Sequence, residues 1–141
     1  MNHKAISIRP FIGAKDFELS RSFYLDLGFQ ERILFPDMSL FITEQIGFYL
    51  QNAYVRDWID NSMIFLEVDD VDRYWKELMA LDLATKYKGV KLTPIQKYDW
   101  AGNVLCMIHL EFYGTLDNLT AVNKGRVIFC NHCEPFVFRI Q

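Results

Sequence analysis

Few residues of this chain are of types that ligate metal, titrate or attack, and most have a structural reading beside the chemical one. Cys130-Asn131-His132-Cys133 looks like half of a zinc site. A structural zinc takes four ligands, and the remaining candidates, Cys106, His109 and His3, include no second Cys-x-x-Cys. A redox role would need that motif at a helix start in a thioredoxin-like unit, a context missing here. Asp69-Asp70-Asp72 has the charge of a cation cluster, yet a helix cap with first-turn acids, favourable to the helix dipole, explains the same spacing. Lys86, Lys88 and Lys91 around Gly89 read as a solvated loop. Glu67 shares a strand face with Met63 and Phe65, where a carboxylate can pair with a cation such as Arg9 or act as an acid/base group.

These residues must be carried by a single domain. The chain has 141 residues, and domains commonly run roughly 100–150. That length buries a core without disulfide or metal staples. Twelve Phe, seven Tyr and three Trp suit a core or an apolar pocket with stacking walls. A formal charge of −3 argues against a nucleic-acid binder, which would show a basic face. No apolar run approaches the ~20 residues of a membrane span. Met1-Asn2-His3-Lys4 reads as no secretory leader, and three cysteines, an odd number, suit a reducing cytoplasmic setting.

Residues 5–12 alternate, Ile6 and Ile8 against Ser7 and Arg9, and predict a strand. Asp16 caps a helix whose Leu19, Phe23 and Leu27 share a face, and Gly28 supplies its left-handed stop. Strands Phe29–Leu34, Ser39–Thr43 and Phe48–Gln51 follow, with a turn at Pro36-Asp37. The pattern restarts with strand Met63–Val68, cap Asp70, and Val71, Tyr74, Trp75, Leu78 and Leu81 at helical spacing, which makes Tyr74 and Trp75 core residues. At an offset of 54, Asp16 lies over Asp70, Phe17 over Val71 and Leu27 over Leu81. A strand, a capped helix and antiparallel strands, repeated once, imply a duplicated α+β domain whose two half-sheets bound a cleft. An accidental repeat in an ordinary α+β domain is the alternative.

The stretch from Arg9-Pro10-Phe11 through Lys15-Asp16, Ser20-Arg21-Ser22-Phe23-Tyr24 and Leu27-Gly28-Phe29 resembles the opening of the vicinal oxygen chelate superfamily, of the glyoxalase, bleomycin-resistance-protein and dioxygenase type. Phe65-Leu66-Glu67-Val68-Asp69-Asp70-Val71-Asp72 resembles the passage from strand to helix in that family's second half, and Tyr98-Asp99-Trp100 its Trp-Gly approach to a seventh strand. The resemblance covers residues 5 to about 102. It implies two tandem βαβββ modules forming a curved mixed-sheet cleft, and a homodimer. Enzymes of the superfamily hold a metal with His or Glu at the starts of strands one and five and on strands four and eight. Those places offer Arg9, Met63 and, on strand four, Gln51. Arg9 cannot be deprotonated and would repel a dication. The resemblance therefore points to the metal-free binding members, with no catalytic residue and no cofactor.

Beyond Trp100 the match stops. The family would show Gly, a strand, Asp-Pro-x-Gly and a last strand; this chain reads Ala101-Gly102-Asn103-Val104-Leu105-Cys106-Met107-Ile108 and onward. Reading the implied codons from each third base, the Met107–Ile108 boundary must give Asp and the Phe112–Tyr113 boundary Leu. Tyr113–Gly114 gives Trp or Arg, and Asp117–Asn118 gives Gln or a stop. One permitted reading is R-E-C-F-V-H-D-P-F-G-V-L-W-H-F-G followed by a stop, which looks like the missing ending. The expectation is a single domain over 1–118 (module one 1–60, module two 61–118) with altered last strands and a tail, 119–141, that is frameshift read-through. The rival reading is a native tail in which Val104–Phe112, Arg126–Cys130 and Phe136–Ile140 act as strands, buried in a dimer rather than exposed as an aggregation hazard.

The expected function is antibiotic-resistance-type sequestration of an apolar or aromatic small molecule by a cytoplasmic homodimer. Phe11, Tyr49, Met63, Phe65 and Trp100 would wall the cleft, and Arg9, Gln51 and Glu67 would be its polar anchors. Bleomycin itself is not implied, because a cationic drug favours a more acidic cleft. A metal-dependent lyase or isomerase of the glyoxalase kind and a non-functional frameshifted product are the alternatives. Sequencing the coding DNA from Trp100 to Asn118 should return codons that spell the restored string in the shifted frame; codons incompatible with it defeat the frameshift reading.

Overall fold

Pro10 decides where the first strand begins. In the computed structural model, which describes residue 4 and residues 6–44, 46–59, 63–98, 102–108 and 125–130, β1 is only Phe11–Gly13. Tyr49 N–H still donates to the Pro10 carbonyl at 2.9 Å, but proline has no N–H to continue the ladder. The strand expected over 5–12 is thus corrected to three residues, and Ile6 and Ile8 are 99% and 96% exposed. Alternation marks a segment able to pair, and pairing needs a neighbour.

After β1 come α1 (Phe17–Asp26), β2 (Gln30–Phe35), β3 (Met38–Thr43), β4 (Ile46–Gln51) and the short α2 (Arg56–Ile59). They belong to one of two compact units, Met1–Ile59 and Asp60–Gln141. The sheet order is β1-β4-β3-β2, with β1 parallel to β4 and the other pairs antiparallel. Asp16 caps α1 by accepting from the Leu19 N–H at 2.9 Å, and Gly28 takes φ +91° just past its end, as expected. The buried helical face differs from the expected one. Phe17, Ser20, Phe23 and Tyr24 are buried, whereas Leu19 is 37% exposed. Both sets fall at helical spacing; the sheet selects the stripe that brings two adjacent aromatic rings onto it.

That stripe builds the core of the N-terminal unit. The Tyr24 ring lies 4.6 Å from Phe48 and 5.5 Å from Phe41, and Phe29 meets Phe48 at 5.4 Å. Ile12, Phe41, Phe48 and Leu50 come from the same face of the sheet and are buried. Beside this core, Arg21 Nε donates to Glu31 Oε1 at 2.6 Å and its Nη1 to Glu18 at 2.8 Å. The pair ties α1 to β2, an edge strand that is otherwise almost wholly exposed.

The C-terminal unit contains β5 (Met63–Glu67), α3 (Val71–Ala80), α4 (Leu83–Lys86), β6 (Lys91–Leu92), β7 (Gln96–Tyr98), β8 (Gly102–Ile108) and β9 (Gly125–Cys130). Asp70 caps α3 on the Arg73 N–H at 2.9 Å, and α3 repeats the bounds of α1 at the offset of 54. Val71 and Leu78 are buried, with Tyr74, Trp75 and Leu81 half-buried. The likeness then ends. Where the N-terminal unit places β2, this unit has α4 and the buried Tyr87 and Val90. Its sheet order is β5-β9-β8-β6, with β7 also paired to β8. β9 is antiparallel to β5 and parallel to β8. Phe136–Ile140 and the rest of the Cys130–Cys133 motif lie outside the described residues.

Burial, the largest single influence, would raise the Glu31 carboxyl, but hydrogen bonding to Arg21, the Ser39 hydroxyl and the Arg21 charge together outweigh it and hold the carboxyl below its ordinary value. A depressed carboxyl adds stability that is complete above the unfolded-state pKa of about 4.3 and is lost as pH falls through the folded-state value. Urea titrations should show Glu31→Gln less stable at pH 7 by about 1–3 kcal/mol. The gap to the parent should close as pH drops below about 4.3.

Candidate functional site

Strand parity in the N-terminal sheet separates a closed face from an available one. The registers Phe11↔Tyr49, Leu40↔Tyr49 and Arg32↔Leu40 put Phe11, Tyr49, Leu40 and Arg32 in one row. Gly13↔Gln51, Met38↔Gln51 and Phe35↔Met38 make the next row on the same side. Ile12, Phe41, Phe48 and Leu50 occupy the opposite side, under α1. Residues 53–59 cover one end of the available face: a Cβ on Gly13 would lie 2.5 Å from the Ala53 carbonyl oxygen and 3.0 Å from Ile59.

On that face Phe11 and Tyr49 are stacked, with ring centroids 4.7 Å apart and planes inclined by 22°. Such an offset pair presents a flat apolar surface, and aromatic stacking contributes about 0.5–1.5 kcal/mol beyond the area it buries. Gln51 follows Tyr49 by one strand period, and its amide contacts the Met38 sulfur at 3.8 Å. A thioether is a weak acceptor, so this amide keeps most of its hydrogen-bonding capacity. Arg9, two residues ahead of Phe11, is half-buried, and its Nε is buried with no hydrogen-bond partner. A buried donor without an acceptor costs about 1–3 kcal/mol, which a carbonyl or anionic group delivered by a ligand would offset.

The structure thus brings Phe11, Tyr49 and Gln51 together on one face, with Arg9 at its edge. Met63, Phe65 and Glu67 alternate along β5, opposite Cys130, Ile128 and Arg126 of β9, and Glu67 is exposed. Trp100 lies outside the described residues. Five large side chains of the face went unnoticed in the sequence: Met38, Leu40, Ile42, Arg32 and Phe35. For Met38, Leu40 and Ile42 the signal was their spacing of two within Met38–Thr43, which becomes informative only once its register against β4 is known; Arg32 and Phe35 join through the pairing of β2 with β3. Among the described residues, no three His, Cys, Asp or Glu side chains cluster closely enough to hold a metal ion, and no helix is long and apolar enough to cross a membrane.

In this mixed α+β fold a helix closes one face of the N-terminal sheet, and aromatic, aliphatic and amide groups line the other. The fold is that of bleomycin-binding proteins. The chain is similar to the bleomycin-binding protein from bleomycin-producing Streptomyces verticillus, solved with copper(II)-bleomycin: TM-score 0.62 and 20% identity, covering 92% of this chain and 98% of that one. It is also similar to a bleomycin-binding protein solved with bleomycin, at TM-score 0.55 and 13% identity, covering 89% of this chain and 98% of that one. No protein-family profile matches the chain, and no curated protein matches it in sequence.

The two faces should respond differently to truncation. Phe48→Ala, in the sealed core, should cost about 3–5 kcal/mol. Phe11→Ala, which removes a ring that is 59% exposed, should cost no more than about 1.5 kcal/mol. Urea denaturation of both variants checks the assignment.

Proposed function

We propose that this chain is a small-molecule-binding protein of the bleomycin-resistance type, which sequesters an apolar or aromatic ligand on the uncovered face of its N-terminal sheet without bond chemistry. The observation that carries the reading is the stacked Phe11–Tyr49 pair beside Gln51 on the face that α1 leaves uncovered. Its support from outside the chain is a fold shared with proteins solved in complex with bleomycin. A planar ligand would continue the stack, the Gln51 amide would fix its orientation, and Arg9 would meet an acceptor on its rim. Arg9, at the place where related enzymes carry a metal ligand, favours binding over metal catalysis because a guanidinium repels a dication. The working form in this reading is a cytoplasmic homodimer, in which a second copy would cover the exposed Ile6 and Ile8.

Thermal-shift titration with bleomycin, its copper(II) complex and a panel of neutral aromatic antibiotics tests this. At least one compound should raise the unfolding midpoint, by about 2.7 kcal/mol of added stability at a hundredfold excess over its Kd. Phe11→Ala and Tyr49→Ala should each weaken that binding about tenfold while remaining folded. A flat response across the panel defeats the reading. One tightly bound divalent ion per chain, found by metal analysis, would favour a lyase or isomerase instead.

A further inference from the structure

We propose that the place between β5 and β8 is an acceptor slot for a strand running parallel to β5, that β9 fills it as a reversed substitute, and that the fitting strand is encoded in the shifted frame of residues 101–118. The N-terminal sheet shows what such a slot takes. There β4 follows β3 through a tight turn, so it is antiparallel to β3 and parallel to β1. Because α3 repeats α1 at an offset of 54, β1 falls on Phe65–Glu67 of β5. The strand beside β5 should then run parallel to it. β9 instead runs antiparallel to β5 and parallel to β8.

Chain connectivity explains the reversal. A strand joined to β8 by a short turn must be antiparallel to β8, whereas a parallel one needs a connection of about a dozen residues or more. Residues 109–124 separate β8 from β9, a connection of the length that parallel pairing needs. The occupant, Gly125-Arg126-Val127-Ile128-Phe129-Cys130, has the β-branched and aromatic content that strands favour. Its backbone can satisfy the ladders on both sides in either direction, so composition admits it and the length of the connection sets its polarity.

The other reading frame supplies what the slot lacks. The Trp100–Ala101 boundary, TGG followed by GCN, can be read only as Gly from its third base, so a Gly after Trp is forced along with the Asp at Met107–Ile108 and the Leu at Phe112–Tyr113. The permitted reading given above, one of several, then runs as a strand, E-C-F-V-H, a D-P-F-G turn with residues suited to tight reversal, and a second strand, V-L-W-H-F. That is the β3–turn–β4 pattern of the N-terminal unit. A strand produced this way would enter the slot antiparallel to its predecessor and parallel to β5.

Two measurements decide the proposal, and neither involves a ligand. In the full chain with Cys106 and Cys133 changed to Ser, Met63→Cys should form a disulfide with Cys130, its cross-strand partner in the antiparallel register, whereas Glu67→Cys should not. The opposite result, or no disulfide from either, overturns the placement of β9. A chain that runs through Trp100 into Gly and the restored string should unfold at least about 5 °C above the full chain. An equal or lower midpoint, or failure to fold where the full chain folds, overturns the assignment of the slot.

Discussion

The N-terminal sheet can offer a face to a ligand only because α1 closes the opposite one. Tyr24 lies against Phe41 and Phe48, Phe23 and Leu50 are fully buried, and this largely aromatic core fixes the parity of every strand that contributes to it. Side chains alternate with a period of two, so a slip of one residue would exchange the faces. The presence of Phe11, Tyr49 and Gln51 together on the other side is thus a consequence of core packing. Their chemistry is available because the core has already been built elsewhere.

An edge strand that is mostly exposed needs another source of position, and β2 finds it in charge. Glu31 is the residue of β2 that reaches back to α1, where Arg21 meets it from the helix. A half-buried ion pair at this place does more to register the edge than an exposed pair would, since a guanidinium fork matches a carboxylate in only a few geometries. Arg32 of the same strand faces the other way, toward the row of Leu40 and Tyr49. One strand therefore joins the structural charge pair to the available face.

The C-terminal unit obeys the same local rules and reaches a different sheet. Its helix starts, ends and buries residues as the repeat implies, because a cap and an apolar stripe act within a few residues of one another. Its sheet departs where the contacts become distant in sequence. A slot between two strands accepts any segment able to hydrogen-bond on both edges, and direction follows from the path of the chain.

Much of this was legible in the residues themselves. Asp16, Asp70 and Gly28 marked the helix ends because capping and left-handed backbone are local chemistry, and the turn at Pro36-Asp37 separated β2 from β3 for the same reason. Phe11, Tyr49 and Gln51 were legible as site candidates from alternation and resemblance. The short β1 was misread, although Pro10 carried the signal that ends the ladder. Leu19 against Phe17 and Ser20 on α1, the joining of Met38 and Leu40 to the site, and the reversed course of β9 were not legible. Each depends on which distant surface a segment meets, and identical local patterns permit either outcome. The sequence alone determined where elements start and stop; tertiary packing decided which faces they bury and in which direction they pair, since those choices are set by contacts between residues far apart along the chain.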